Sequence, residues 1–168
     1  MTALTAAACV LRFDQKTRGR MGDLSEHFSK SELACHHCGQ LKIESGLVEA
    51  LEQLRSLAGK EVVVHDAYRC PAHNQQVGGV SDSEHTLGMA ADVSIPGLTL
   101  QEMYELALQV LAFLKGGIGV YDGGFVHVDI RLHQSRWARV RGQYVGIQSL
   151  ITTPPTLLAK VRGSSETS

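Results

Sequence analysis

The feature that most constrains this chain is a turn. Tyr121-Asp122-Gly123-Gly124 separates two short apolar runs, 118–120 and 125–130. Asp-Gly is a strong hairpin signal, so the two runs are expected to pair antiparallel. Val62-Val63-Val64, within 61–65, reads as a buried strand, and 90–95, closed by Pro96-Gly97, as another. Helices are expected on either side. Ser29-Lys30-Ser31-Glu32 is a capping box opening a short helix that stops near Gly39. Leu47, Val48, Leu51, Leu54 and Leu57 recur at helical spacing up to Gly59. Thr99 and Glu102 form a second capping box, followed by a stripe of Met103, Leu106, Val110, Leu111 and Leu114 that ends at Gly116-Gly117. That stripe reads as core, not as a cofactor face. Between the first two strands, Pro71, Gly78, Gly79, Ser81, Asp82 and Ser83 mark a long loop. The order predicts an α+β fold with a small antiparallel sheet and flanking helices.

Composition narrows the class further. At roughly 100–200 residues per domain, 168 residues make one domain with a real core, and a hydrophobic share of 43% is too high for disorder. A net charge of -1 speaks against a nucleic-acid partner, since phosphate binding rests on a basic surplus. No membrane span is expected, because no apolar run approaches the ~18–20 residues that one needs. Residues 1–23 read as a loosely ordered extension, 24–147 as the domain, and 148–168, with Pro154-Pro155 and a Ser/Thr-rich end, as a peripheral tail. The apolar segment 2–11 lacks a basic start, so Ala6-Ala7-Ala8-Cys9 makes only a weak lipoprotein-like cleavage site and no export signal is expected.

Chemistry concentrates in two segments. Ser83-Glu84-His85-Thr86-Leu87-Gly88-Met89-Ala90-Ala91-Asp92 and Phe125-Val126-His127-Val128-Asp129 together offer two imidazoles and several carboxylates. Those are the ligand types of a catalytic zinc, where three protein ligands leave a fourth position open. Gly88 would let the chain turn tightly enough for His85 and Asp92 to face one ion. His127 sits mid-strand between valines, where an unpaired imidazole is costly. A satisfied core histidine is the competing reading of that position. Cys35-His36-His37-Cys38 has the spacing of a metal knuckle or a redox pair. Free thiols, a disulfide involving Cys70 and a second metal site all remain open for Cys35, Cys38 and Cys70. His27, His36 and His37 are expected at the surface.

A wider pattern carries a resemblance. Tyr68-Arg69-Cys70-Pro71-Ala72-His73-Asn74, then Val77-Gly78-Gly79, Ser83-x-His85-x-x-Gly88-x-Ala90-x-Asp92, Gly117-Ile118-Gly119 and His127-Val128-Asp129 together resemble the zinc D-Ala-D-Ala carboxypeptidases, peptidase family M15, and within them the murein peptidases of phages and bacteria. Phe28-Ser29-x-x-Glu32-Leu33-x-Cys35 resembles that branch's opening helix, and the likeness spans roughly 24–138. It implies a fold shared with the hedgehog signalling domain, and one Zn2+ per chain held by His85, Asp92 and His127. It further implies Arg69 as the cation holding a substrate carbonyl or developing oxyanion, Ser83 as a loop-pinning or substrate-touching residue, and His73 and Asn74 as shapers of the loop.

One departure stands out. Many relatives carry Glu or Asp three residues before the last histidine as general base, and here that position is Gly124. Asp129, on the same strand face as His127, and Asp122, at the hairpin turn, are the candidates to replace it. Asp129 could instead orient a ligand, and Asp122 could simply make the turn. The resemblance thus implies a monomeric zinc peptidase acting on peptidoglycan stem peptides by metal-activated water. The alternative is a zinc-holding binding module without catalysis. Release to the cell wall and cytoplasmic recycling of stem peptides are both compatible with such a chain.

Overall fold

The computed structural model describes residues 22–152. Cys9 and most of both expected terminal segments lie outside the described residues. The chain runs α1 (Lys30–Leu33), α2 (Ser45–Ala58), β1 (Val63–Asp66), α3 (Pro71–Gln76), α4 (Glu84–Leu87), β2 (Ala90–Ser94), α5 (Leu100–Ala107), α6 (Leu111–Lys115), β3 (Gly117–Tyr121), β4 (Phe125–Asp129), β5 (Ser135–Val140) and β6 (Gln143–Val145), then a short 3-10 turn (Ile147–Ser149). The six strands form one sheet in the order β1-β2-β4-β3-β5-β6. All neighbours are antiparallel except β3 and β5, which run parallel.

Strand alternation divides the work of the sheet. Ala91 and Val93 of β2, Val126 and Val128 of β4, and Ile118 and Val120 of β3 are fully buried in the main core, together with Leu47, Leu51 and Leu54 of α2, Met103 of α5 and Phe113 of α6. Successive side chains point to opposite faces, so the intervening residues share the other face. One cross-strand row there reads Asp66, Asp92, His127, Gly119, Trp137. A bulge between Val64 and Asp66 shifts the register so that Asp66, not His65, opposes Asp92; bulges re-aim side chains in this way.

Several elements differ from the sequence-based expectation. The helix opened by Ser29 and Glu32 ends at Leu33, because Ala34 turns extended and 35–40 closes a hydrogen-bonded turn, Cys35 N–H to Gln40 O at 2.8 Å. The expected loop 71–83 contains α3, where Cys70 is the N-cap and Pro71 supplies a preset φ at the first helical position. The 99–116 helix is two helices. Val110 is extended between them, which lets both Val110 and Phe113 enter the core. No Pro or Gly marks that break in sequence. Ile151 is buried in the main core, so the chain is still packed against the body beyond 148.

Candidate metal centre and its cleft

His85 reaches the site from the four-residue helix α4, which ends in Gly88 at φ +76. A side chain at Gly88 would be strained by that φ, and its Cβ would lie 2.2 Å from the Lys42 carbonyl oxygen. Asp92 and His127 come from neighbouring strands as directly opposed partners. Three atoms converge. His85 Nε2 lies 3.1 Å from His127 Nδ1, His127 Nδ1 lies 2.9 Å from Asp92 Oδ1, and His85 Nε2 lies 3.3 Å from Asp92 Oδ1. A tetrahedral ion with bonds of about 2.0 Å spaces its ligand atoms about 3.3 Å apart. The triangle therefore has the dimensions of one face of such a site.

The outer nitrogens decide what the triangle can hold. His85 Nδ1 is 2.6 Å from the Ala67 carbonyl oxygen, which only accepts, so Nδ1 carries the proton and Nε2 presents a lone pair. His127 Nε2 is 3.0 Å from Asp129 Oδ2, so in the neutral ring the proton sits on Nε2 and the Nδ1 lone pair faces inward. With the carboxylate of Asp92, three lone-pair donors point at one spot, all three residues buried. Such a cluster suits a cation, and in the metal-free chain Arg69 lies against it, 3.1 Å from His85 Nε2 and 2.6 Å from Asp92 Oδ2. A carbonyl or carboxylate behind each ligating imidazole is the usual support of a metal site.

Burial raises the Asp92 carboxyl, but the charges and hydrogen bonds of His85 and His127 outweigh it and hold the group well below the usual carboxylate range. Burial lowers the His127 imidazole, yet hydrogen bonds from Asp129 and Asp92, with their charges, lift it to about 8 in the metal-free chain. Arg69 supplies the local positive charge, donating from Nε to Asp66 Oδ2 at 2.5 Å and from one terminal nitrogen to Asp92 Oδ2 at 2.6 Å.

The triangle opens into a cleft of about 420 Å³ whose wall includes Asp66, Arg69, Ser83, Glu84, Arg131 and Trp137. Ser83 is the N-cap of α4 and is buried in the cleft wall. Asn74 pins the 77–80 segment of the wall, its Nδ2 donating to the Val80 carbonyl at 2.7 Å. Gly119 leaves room for the Trp137 ring, since a Cβ there would fall 2.4 Å from it.

The two candidate proton acceptors sit elsewhere. Asp129 is fully buried behind His127, where it accepts from the Gly117 N–H at 2.8 Å and from the Arg131 guanidinium at 2.6–2.9 Å. Gly117 is required there, for a Cβ would lie 2.1 Å from Asp129 Oδ2. Asp122 is at the hairpin turn, its Oδ2 accepting the Arg141 N–H at 2.7 Å, and neither acid is among the residues lining the cleft. Gly124, at φ +88, completes the turn. Sequence reasoning missed Asp66, whose Oδ1 is buried with no hydrogen-bond partner while Oδ2 is held by Arg69. Its only sequence signal is its position at the end of the valine-rich strand. His27, expected as a surface residue, is half-buried and pairs with Glu52 at 2.6 Å.

A cationic side chain beside three convergent metal-type ligands, on the polar face of a mostly antiparallel sheet, makes a candidate metal-binding centre. The particular family follows from comparison: the chain belongs to the Peptidase M15 family, whose profile matches residues 25–129. Among curated proteins it is similar to the peptidoglycan L,D-endopeptidase MepK of Escherichia coli strain K12, 35% identical over 95 residues, covering 52% of this chain and 50% of the relative. The MepK proteins of Escherichia coli O157:H7 and of Shigella flexneri match with the same identity and coverage. The chain thus spans about half the length of the curated relatives it matches.

Proposed function

We propose that the protein is a zinc-dependent peptidase that hydrolyses a peptide bond in peptidoglycan stem peptides. The observation that carries the reading is the triangle of His85 Nε2, Asp92 Oδ1 and His127 Nδ1, three lone-pair donors with edges of 2.9–3.3 Å beside Arg69. Family membership supports peptidase chemistry, and the relatives' name supports a peptidoglycan substrate cut as an L,D-endopeptidase cuts it.

In this reading His85, Asp92 and His127 hold one zinc. When bound, zinc lowers the pKa of a coordinated water towards about 7 and polarises a carbonyl oxygen. Asp66, which lines the cleft beside Arg69, takes the proton of the attacking water and hands it to the leaving amine. Arg69, fixed between Asp66 and Asp92, faces the negative charge that develops on the carbonyl oxygen. Asp129 is a positioning residue: it holds the His127 ring through Nε2 so that Nδ1 stays inward. Ser83 and Trp137 line the wall against which the peptide lies.

A zymogram on purified peptidoglycan tests the proposal. Clearing is expected from the wild type, is expected to vanish with chelator and to return with zinc, and is expected to be absent from His85→Ala. Undiminished clearing by His85→Ala would refute the scheme, and bound zinc without release of any wall fragment would favour the non-catalytic module instead.

A further inference from the structure

A second set of metal-type ligands lies away from the cleft wall. Cys35 and Cys38 belong to the turn after α1, closed by the Gly39 N–H donating to the Cys35 carbonyl at 2.8 Å with Gly39 at φ +71. Cys70 is the N-cap of α3, and His73 stands one turn into that helix. The fold brings these segments together. The sulfurs of Cys35, Cys38 and Cys70 all lie within 4.8 Å of one another, and no two of the three are joined in a disulfide. His73 Nδ1 is 3.5 Å from Cys35 Sγ. A tetrahedral zinc with bonds of about 2.3 Å to sulfur and about 2.0 Å to nitrogen spaces those atoms about 3.5 Å apart.

Backbone support is also in place. The Cys70 N–H donates to Cys35 Sγ at 3.3 Å and the His73 N–H to Cys70 Sγ at 3.4 Å. Such bonds stabilise thiolates, the form in which cysteine binds metal. In sequence the four residues read Cys-x2-Cys followed by Cys-x2-His, a spacing that suits a closed structural zinc site. The apolar packing here is slight: Cys35, Tyr68 and Cys70 form a cluster separate from the main core.

We propose that Cys35, Cys38, Cys70 and His73 bind a second, structural zinc ion that ties the turn after α1 to the start of α3. All four protein ligands close the coordination sphere, so this site serves stability and not hydrolysis. It reaches the cleft through one residue. Arg69 precedes Cys70, and its backbone N–H donates to the His85 carbonyl at 3.1 Å, so fixing Cys70 steadies the segment that carries Arg69. His37 Nδ1 lies 3.5 Å from Cys70 Sγ, as His73 Nδ1 does from Cys35 Sγ; His73 is assigned as the fourth ligand because it is half-buried and held on a helix, and the histidine variants below separate the two.

Metal analysis of the full chain tests this independently of the cleft. Wild type is expected to carry two zinc ions, and the double variant His85→Ala/His127→Ala to keep one. Cobalt substitution of that double variant is expected to give the intense near-ultraviolet thiolate-to-cobalt charge-transfer band that a nitrogen and oxygen site lacks. His73→Asn is expected to alter the visible cobalt spectrum, and His37→Asn to leave it unchanged. Alkylation mapped by mass spectrometry is expected to spare Cys35, Cys38 and Cys70 until chelator is added. Absence of the charge-transfer band, a disulfide among these cysteines in freshly purified protein, or full alkylation in the presence of zinc would each overturn the proposal. None of these readouts uses a cysteine variant, and the alkylation test uses the wild type, so the proposal stays testable if a cysteine variant fails to fold. A wild type that shows the sulfur band but never cleaves peptidoglycan would leave this site standing and sink the peptidase reading.

Discussion

Replacing Asp129 with asparagine separates two roles that an acid beside His127 could have. The carboxylate is fully buried and accepts from His127 Nε2, the Gly117 N–H, the Arg131 N–H and the Arg131 side chain. Burial raises this carboxyl, but the hydrogen bonds of His127 and Arg131 outweigh it and hold the group well below its ordinary range. Asparagine keeps the shape but removes the charge, and its NH2 must face either Arg131 or His127 as a misplaced donor. Charge-assisted hydrogen bonds contribute about 1.5–3 kcal/mol each, and stripping a buried charge of its partner costs about 3–5 kcal/mol. Arg131 keeps partial solvent access and sits 3.7 Å from Glu84, which places the folding cost at the lower end, about 2–3 kcal/mol. Zinc affinity is expected to fall about 10–100-fold, the usual consequence of losing the acceptor behind a ligating histidine. The assay is zinc competition against a chromophoric chelator, with stem-peptide hydrolysis followed at saturating zinc. Activity restored by excess zinc is the expected result. An unchanged zinc affinity with turnover abolished at saturation would refute the positioning role and make Asp129 the proton acceptor.

Asp66→Asn is expected to keep full zinc content while lowering kcat about 10²–10⁴-fold, the range for loss of a general base, as measured on a defined muropeptide. Arg69→Lys keeps the charge but cannot bridge Asp66 and Asp92 with a planar fork, so kcat should drop about 10²–10³-fold with zinc content intact. Gly88→Ala forces an L side chain into φ +76 against the Lys42 carbonyl, and a loss of at least about 1–3 kcal/mol is expected in urea unfolding. The pH dependence of the metal-free chain follows from His127, raised from 6.5 to about 8. The charged imidazole is favoured by folding, so its stabilisation is complete below pH 6.5 and is lost as pH rises through about 8. Zinc must displace that proton, so its affinity should climb over the same interval with release of protons, measurable by calorimetry in buffers of different ionisation enthalpy.

Much of the site was legible because the ligands lie on regular elements. His127 and Asp129 share a strand face by parity alone, and the Asp-Gly turn fixed which strands meet. Both capping boxes opened helices where the sequence placed them, at Ser29 and Thr99. What escaped notice depends on tertiary context. Asp66 faces the cleft only because a bulge at His65 shifts the register by one residue. The parallel pairing of β5 on β3 needs a chain reversal through 130–134 that carries no turn dipeptide. The sequence keeps a second metal site open for Cys35, Cys38 and Cys70, but His73, more than thirty residues after Cys38, reads there only as a shaper of the loop. Helix α3 was hidden by the Gly and Ser residues that follow it, although Cys70-Pro71 has the form of a helix start.

Anomalous diffraction at the zinc edge from crystals grown with zinc tests the central claim most directly. A peak is expected within bonding distance of His85 Nε2, His127 Nδ1 and Asp92 Oδ1, with no protein atom in the fourth position, where solvent enters from the cleft. No peak between those three atoms in fully zinc-loaded protein would contradict it, as would a fourth side chain closing the coordination.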